Sequence, residues 1–318
     1  MGHDGSGKQP PAARNPDAEP AVNPRLAVII AVAFVSTSAI LIRLATPHPL
    51  SIAFHRMAFS VVLTAPRLLH GGLGRLLQIE RRDLGLALLS GAFLALHFAS
   101  WISSLFMTSV ASATVLVNLH PILVVVLGVI FLGERIGGRA VMWVLLSIAG
   151  STILALGGTV VGETATTGNL LAVLGAVAVS GYMLIGRLLR SRVDAGSYTF
   201  LVYGSSAAIL LIACRAAGVD LGPYAPREYV LFTLLAVFPT LLGHSVFSWA
   251  LRYVRASFVA TSVLGEPVFA TILAIFFFAE FPTVWTLVGG AMILVGIYAF
   301  TQREAEARAR EGGSARGG

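Results

Sequence analysis

The sequence predicts an all-α integral membrane protein with ten transmembrane helices, folded as two inverted five-helix repeats. Three observations predict it. The chain is 56% hydrophobic and 12% charged, with a mean hydropathy of +0.84. Its apolar residues fall into ten long segments separated by short polar linkers. One stretch also returns: TSVASATVLVNLHPILVVVLGVIFLGE, residues 108–134, is echoed by VRASFVATSVLGEPVFATILAIFFFAE, residues 254–280. Pro121 and Pro267, Glu134 and Glu280, and Gly150 and Gly296 all keep the same offset of 146 residues. Duplicated apolar segments with mid-helix prolines are the mark of two-fold membrane carriers.

Composition excludes other classes. Soluble domains carry about a quarter charged residues, so only a lipid bilayer accepts this much apolar surface. The net charge of +7 does not point to nucleic acid, because the basic residues form short clusters between apolar segments rather than a stripe interleaved with aromatics. Cys214 is the only cysteine, so neither an internal disulfide nor a cysteine metal cluster is expected. No cofactor is expected either.

A helix needs about 20 apolar residues to cross the hydrocarbon core. Residues 25–45 are the first such segment, and 49–69 the second, with Arg56 inside it. Segment 84–105 carries His97 and Trp101, and 109–131 carries Asn118, His120 and Pro121. Segments 138–158, 168–188, 195–215 and 228–250 follow, the last with His244. Segment 255–279 holds Glu266 and Pro267, and 283–302 follows Pro282. The domains expected are a first repeat over 25–158 and a second over 159–302. Polar tails at 1–24 and 303–318 are expected to be disordered and cytoplasmic.

Charge sets the orientation. With the N-terminus inside, eighteen of the 22 Lys and Arg residues fall in inner segments, while Arg43, Arg215 and Arg227 fall in outer ones. This asymmetry places both termini in the cytoplasm of a bacterial-type inner membrane. Five helices per repeat is an odd number, so the second repeat is inverted. The loops agree. Arg252 and Arg255 precede the ninth span while no positive charge precedes the fourth, and Arg135 and Arg139 follow the fourth while none follows the ninth.

The run HFASWISSLFMTSVASATVLVNLHPILVVVLGVIFLGE and its counterpart WALRYVRASFVATSVLGEPVFATILAIFFFAE resemble the EamA-type branch of the drug/metabolite transporter superfamily, with "LGE" after the fourth span and "EP" within the ninth. The resemblance covers about residues 25–302. It implies a five-plus-five secondary carrier with a central cavity between the halves, often exporting amino acids or related metabolites.

Ionisable groups at span centres cost about 2.5–3.5 kcal/mol on insertion scales, so each calls for a reason. Glu266 lies mid-span before Pro267, which frees the carbonyl of Val263 from its helical bond. A carboxylate beside a freed carbonyl suits an ammonium group or a proton; the alternative is a protonated side chain bonded to a neighbouring helix. His120 holds the same place before Pro121, either paired with Glu266 across the pseudo-axis or bonded to a backbone carbonyl. In a continuous helix Asn118 lies about 200° from His120 and is expected to bridge to a neighbour. His97 and Trp101, four apart, share a face that lines a cavity or packs helices, and His244 is a further candidate. Arg56, seven residues after Pro49, either snorkels outward or binds a carboxylate, and the family resemblance, in which an arginine often sits here, adds weight to the second without displacing the first. Glu134 and Glu280 end equivalent helices as hairpin caps or gates. Pro121 and Pro267 are the expected hinges.

The glycines Gly128, Gly133, Gly150, Gly289, Gly290 and Gly296 read as close helix contacts. No phosphate loop is present, and Lys8 is the single lysine, which argues against direct ATP hydrolysis. Two functional classes remain. The first is a secondary exporter of an amino acid or related amphipathic solute, by alternating access with proton coupling as an option. The second is an intramembrane enzyme acting on a lipid or lipid-linked substrate, which needs a converging catalytic constellation; His97, His120 and His244 stand on three spans without metal-site spacing. Few span charges argue against nucleotide-like solutes. The carrier is expected as a monomer or homodimer in contact with lipid.

Overall fold

The structure, a computed structural model, describes residues 22–71, 74–132, 138–157, 162–189, 192–250, 259 and 262–314. The described residues are helical, joined by turns and short loops. Helix α1 covers Pro24–Leu44, α2 Pro49–Gly71, the short α3 Gly74–Leu77 and α4 Arg81–Leu105. Next come α5 (Val110–Val117), α6 (His120–Leu132), α7 (Gly138–Gly157), α8 (Glu163–Leu189) and α9 (Ala195–Ala216). Helix α10 (Pro226–Leu235) leads into a π-helical segment, Ala236–His244, and then α11 (Ser245–Ala250). The chain ends with α12 (Gly265–Phe278) and α13 (Val284–Ser314).

Among the described residues four helices are long and apolar enough to cross a membrane: Pro24–Leu44, Arg81–Leu105, Glu163–Leu189 and Gly196–Ala216. Val110–Val124, which takes in α5 and the start of α6, and Val141–Leu154, Gly265–Phe278 and Val284–Phe300 are shorter apolar stretches. Their outward faces carry large apolar side chains such as Ile212, Leu170, Phe276 and Leu287, a surface suited to lipid.

Local chemistry sets several helix ends. Asn23 accepts the N–H groups of Arg25 and Leu26 ahead of Pro24, Ser109 accepts that of Ser112, and Asp194 that of Ser197; all are N-caps that satisfy free donors of a first turn. Three boundaries differ from the sequence reading. The expected span 109–131 breaks at Asn118–Leu119, so α5 and α6 are separate helices. The expected span 228–250 contains nine residues of π-helix around Pro239; a proline donates no N–H, and the wider turn lets Thr240 Oγ1 bond the carbonyl of Leu235 at 3.2 Å. The last helix runs past residue 302 to Ser314, through most of the segment expected as a disordered tail. The expected N-terminal tail lies almost wholly outside the described residues.

Packing follows small residues. Helix α4 lies along α8, α13 along α7, and α2 along α9. Between α7 and α13 the backbones nearly touch: a Cβ on Gly150 would lie 2.7 Å from the carbonyl oxygen of Gly289, and one on Gly296 would collide with Ser147 Oγ. Gly150, Gly289 and Gly296 thus make the close contacts expected of them. Gly290 has looser surroundings, its nearest neighbour being Val115 Cγ2 at 3.8 Å. One apolar cluster joins residues of α1, α2, α4, α5, α8, α9, α10, α12 and α13.

Glu280 fastens one end of this bundle. It lies in the loop after α12, where Ala279 adopts φ 53°. Its Oε1 meets Arg43 NH2 at 2.7 Å, and its Oε2 accepts the Val110 N–H at 3.0 Å. Arg43 also donates to the carbonyl of Leu105 at 2.8 Å. Glu280 therefore caps α5 rather than its own hairpin, tying the ends of α1, α4 and α12 to the positive end of α5. Glu134, its counterpart, lies outside the described residues.

Two outcomes are expected in thermal unfolding of the detergent-purified protein. Gly150→Val destabilises by about 1–3 kcal/mol, while Gly290→Ala stays within about 0.5 kcal/mol of wild type. Glu280→Gln keeps an acceptor for Val110 but loses the charge facing Arg43, and is expected to lose about 1 kcal/mol where Glu280→Ala loses about 2. Equal losses from the two Glu280 variants would show that the carboxylate charge contributes nothing.

Candidate functional site

The break between α5 and α6 creates the site. Pro121 lies in the first turn of α6, and Pro267 in the first turn of α12, so each proline starts a helix instead of kinking one. Pro121 withholds an N–H from the carbonyl of Val117, and His120 Nδ1–H donates to that oxygen instead, at 3.2 Å. The carbonyls just before the two prolines are also met: Ser180 Oγ of α8 donates to that of His120 at 3.1 Å, and Ser36 Oγ of α1 to that of Glu266 at 3.4 Å. Irregular backbone at membrane depth is tolerated where such protein groups cover it.

Asn118 occupies the break, at φ −71°, ψ 3°. Its Nδ2 donates to the carbonyl of Thr114 at 2.9 Å, a bond within its own helix, and its side chain lies within electrostatic reach of Glu266 on α12. Because the chain is not helical through 118–119, the angle between Asn118 and His120 in a continuous helix does not apply. Asn118 rather than His120 lies within reach of Glu266.

Arg56 does not snorkel. It is 1% exposed, with NH1 donating to Ser38 Oγ at 2.9 Å and Cζ 4.3 Å from the centroid of the Phe98 ring, a cation–π contact. It lies within electrostatic reach of Glu266 and Tyr203, and of His97 and His244. His97 Nδ1–H donates to the carbonyl of Gly175 at 2.9 Å, which leaves Nε2 of the neutral ring as an acceptor. His97 and Trp101 share a face as expected, their rings 5.9 Å apart and 7° from parallel.

His97 on α4, His120 on α6, Tyr182 on α8, Tyr203 on α9 and Glu266 on α12 are half-buried and His244, at the end of the π-helical segment, is exposed, while Arg56 and Asn118 are 1% exposed. Tyr182, Tyr203 and Ser38 were not expected from the sequence; an aromatic or a serine inside an apolar span reads as ordinary packing until its neighbours are known. Among the described residues no group of three or more His, Cys, Asp and Glu could hold a metal ion.

Known proteins share this sequence and shape. The EamA-like transporter family matches the chain twice, over residues 24–156 and 166–302. An uncharacterized transporter of Archaeoglobus fulgidus is 27% identical over 85% of this chain and 93% of its own length. A pseudopaline exporter of Pseudomonas aeruginosa is 25% identical over 81% and 88%. A probable terminal-alkyne amino-acid exporter of Streptantibioticus cattleyicolor is 24% identical over 60% and 64%. A solved crystal structure superposes with a TM-score of 0.61 over 89% of this chain and 98% of its own, at 21% identity, a likeness of fold. The chain belongs to the EamA-like transporter family, and it is a multi-pass membrane transporter of a small molecule rather than an enzyme.

Proposed function

We propose that this protein exports a small metabolite, an amino acid or related amphipathic solute, by alternating access coupled to protons. The observation that carries this reading is the place of Glu266, an ionisable group in the first turn of α12 next to Pro267, where Ser36 of α1 meets its carbonyl at 3.4 Å. A proton and the ammonium group of a solute compete for that carboxylate. One occupant must leave before the other enters, so solute leaving the cell is exchanged for protons returning. Relatives named as exporters, one of them of an amino acid, support the direction and the solute class.

Alternating access needs two halves that move about the site. Ten spans in two inverted repeats, 25–158 and 159–302, supply them in this reading, with both termini in the cytoplasm. The two matches to the family support the division. So does the packing, because α2 meets α9, α5 meets α12 and α7 meets α13, each pairing a span with its counterpart. The serine bonds at the two breaks are likewise paired. Pro121 and Pro267 serve as the hinges, since the helices start anew there and the turn before each can change angle without breaking a ladder of bonds.

Glu266→Gln is expected to reach the membrane at wild-type abundance and to lose export, measured as solute enrichment in the medium. Loss of folded protein in place of loss of flux would assign Glu266 a structural role. Pro121→Ala and Pro267→Ala are each expected to lower turnover several-fold with little change in half-saturation, read in reconstituted vesicles. Wild-type turnover in both variants would remove the hinge role.

A further inference from the structure

We propose that α10 and the connector leading into it from α9 form a strap that closes the outer end of the carrier and lifts off the α1–α2 turn for solute to leave. This rests on the export reading above, in which that end faces away from the cytoplasm. Three consecutive residues at the start of α10 make the closure. Arg227 NH2 donates to the carbonyl of Leu44 at 2.9 Å. Glu228 accepts the Thr46 N–H at 3.2 Å and the Thr46 hydroxyl at 3.1 Å. Tyr229 Oη accepts the N–H of Tyr224 at 3.3 Å, and the Tyr224 hydroxyl bonds that of Ser51 at 2.8 Å. The residues so held, Leu44, Thr46 and Ser51, all lie where α1 passes into α2. Bonds of this kind exchange for water with a small net change in free energy, which suits a closure that opens and re-forms.

The strap is braced within itself and weak at its two ends. Asp220 Oδ1 accepts the Gly222 N–H at 3.0 Å, and the Asp220 carbonyl accepts the Tyr224 hydroxyl, so the connector is tied to the residues that hold the turn. At one end α9 stops at Ala216 and Gly218 takes φ 65°, left-handed backbone that glycine adopts without strain. At the other, the α-helical ladder of α10 gives way to the π-helical segment around Pro239, where a helix can change angle. Between them Phe232 stacks on His55 of α2, the ring centroids 4.5 Å apart and the planes 13° from parallel. The unit from Gly218 to Leu235 thus turns about both ends once the bonds to the α1–α2 turn are released.

Cys214, the single cysteine of the chain, serves as the reporter. It is buried near the end of α9, its carbonyl accepts the Val219 N–H at the root of the connector, and it lies within electrostatic reach of Tyr224. Intact cells are treated with a membrane-impermeant maleimide, and the rate of Cys214 labelling is read by mass spectrometry. Glu228→Gln and Tyr224→Phe are each expected to raise that rate about fivefold or more. Wild-type rates in both would overturn the strap; should Glu228→Gln fail to accumulate, Tyr224→Phe decides with the same two outcomes. A locked strap separates a gate from a structural brace. Thr46→Cys and Glu228→Cys are combined with Cys214→Ala and joined by a short bifunctional methanethiosulfonate. Metabolite enrichment in the medium should then fall to the empty-vector level and return when the link is reduced. Enrichment unchanged by the link would overturn the gate and leave export standing. No enrichment by wild type over empty vector would sink the export reading instead, while the labelling rates still decide whether the strap opens.

Discussion

A helix interrupted inside a membrane exposes backbone groups that no water can reach, and the interior of this protein is arranged around that constraint. At Asn118–Leu119 the ladder stops, and within four residues Pro121 removes another donor. The oxygen that Pro121 frees, that of Val117, is met by the His120 ring, and the Asn118 side chain adds a bond to the carbonyl of Thr114. Ser180 meets the carbonyl of His120, and Ser36 that of Glu266. These two serine bonds commit α8 and α1 to places beside the breaks.

Arg56 is the buried charge among these groups, 1% exposed. A guanidinium with one hydrogen bond, one aromatic face and no adjacent carboxylate is poorly satisfied for so buried a charge. Toward the ends of the bundle the polar groups pair completely: Glu280 with Arg43 and the start of α5, Glu228 with Thr46 and Arg227, and Asp83 with Arg192.

Much of the candidate site was legible because span centres are so poor in ionisable groups that any exception carries information. Glu266, His120, His97, His244 and Arg56 could be picked from the chain on that ground, and the structure brings Arg56 within electrostatic reach of Glu266, His97 and His244. What each one touches was not legible. Glu266 faces Asn118 and not its positional equivalent His120, and Arg56 turns inward though its place in the span allowed it to reach outward. The role of Glu280 was half legible: a carboxylate at a helix C-terminus had to serve some other helix, but which one depended on the packing of α5 beside α12.

Sequence alone determined the class of the molecule, because apolar excess, segment length and charge asymmetry are sums over many residues that no single contact can reverse. It also determined where the helices are weak, since proline withholds its N–H in any fold. Tertiary structure decided the rest. Whether a helix bends, stops or widens at a proline depends on which neighbouring groups receive the freed carbonyls: Pro121 has His120 and Ser180 nearby and begins a new helix, while Pro239 sits in a π-helical segment that keeps the chain continuous. A cavity likewise exists only between helices, where side chains far apart in the chain leave their polar atoms facing one another without closing the gap.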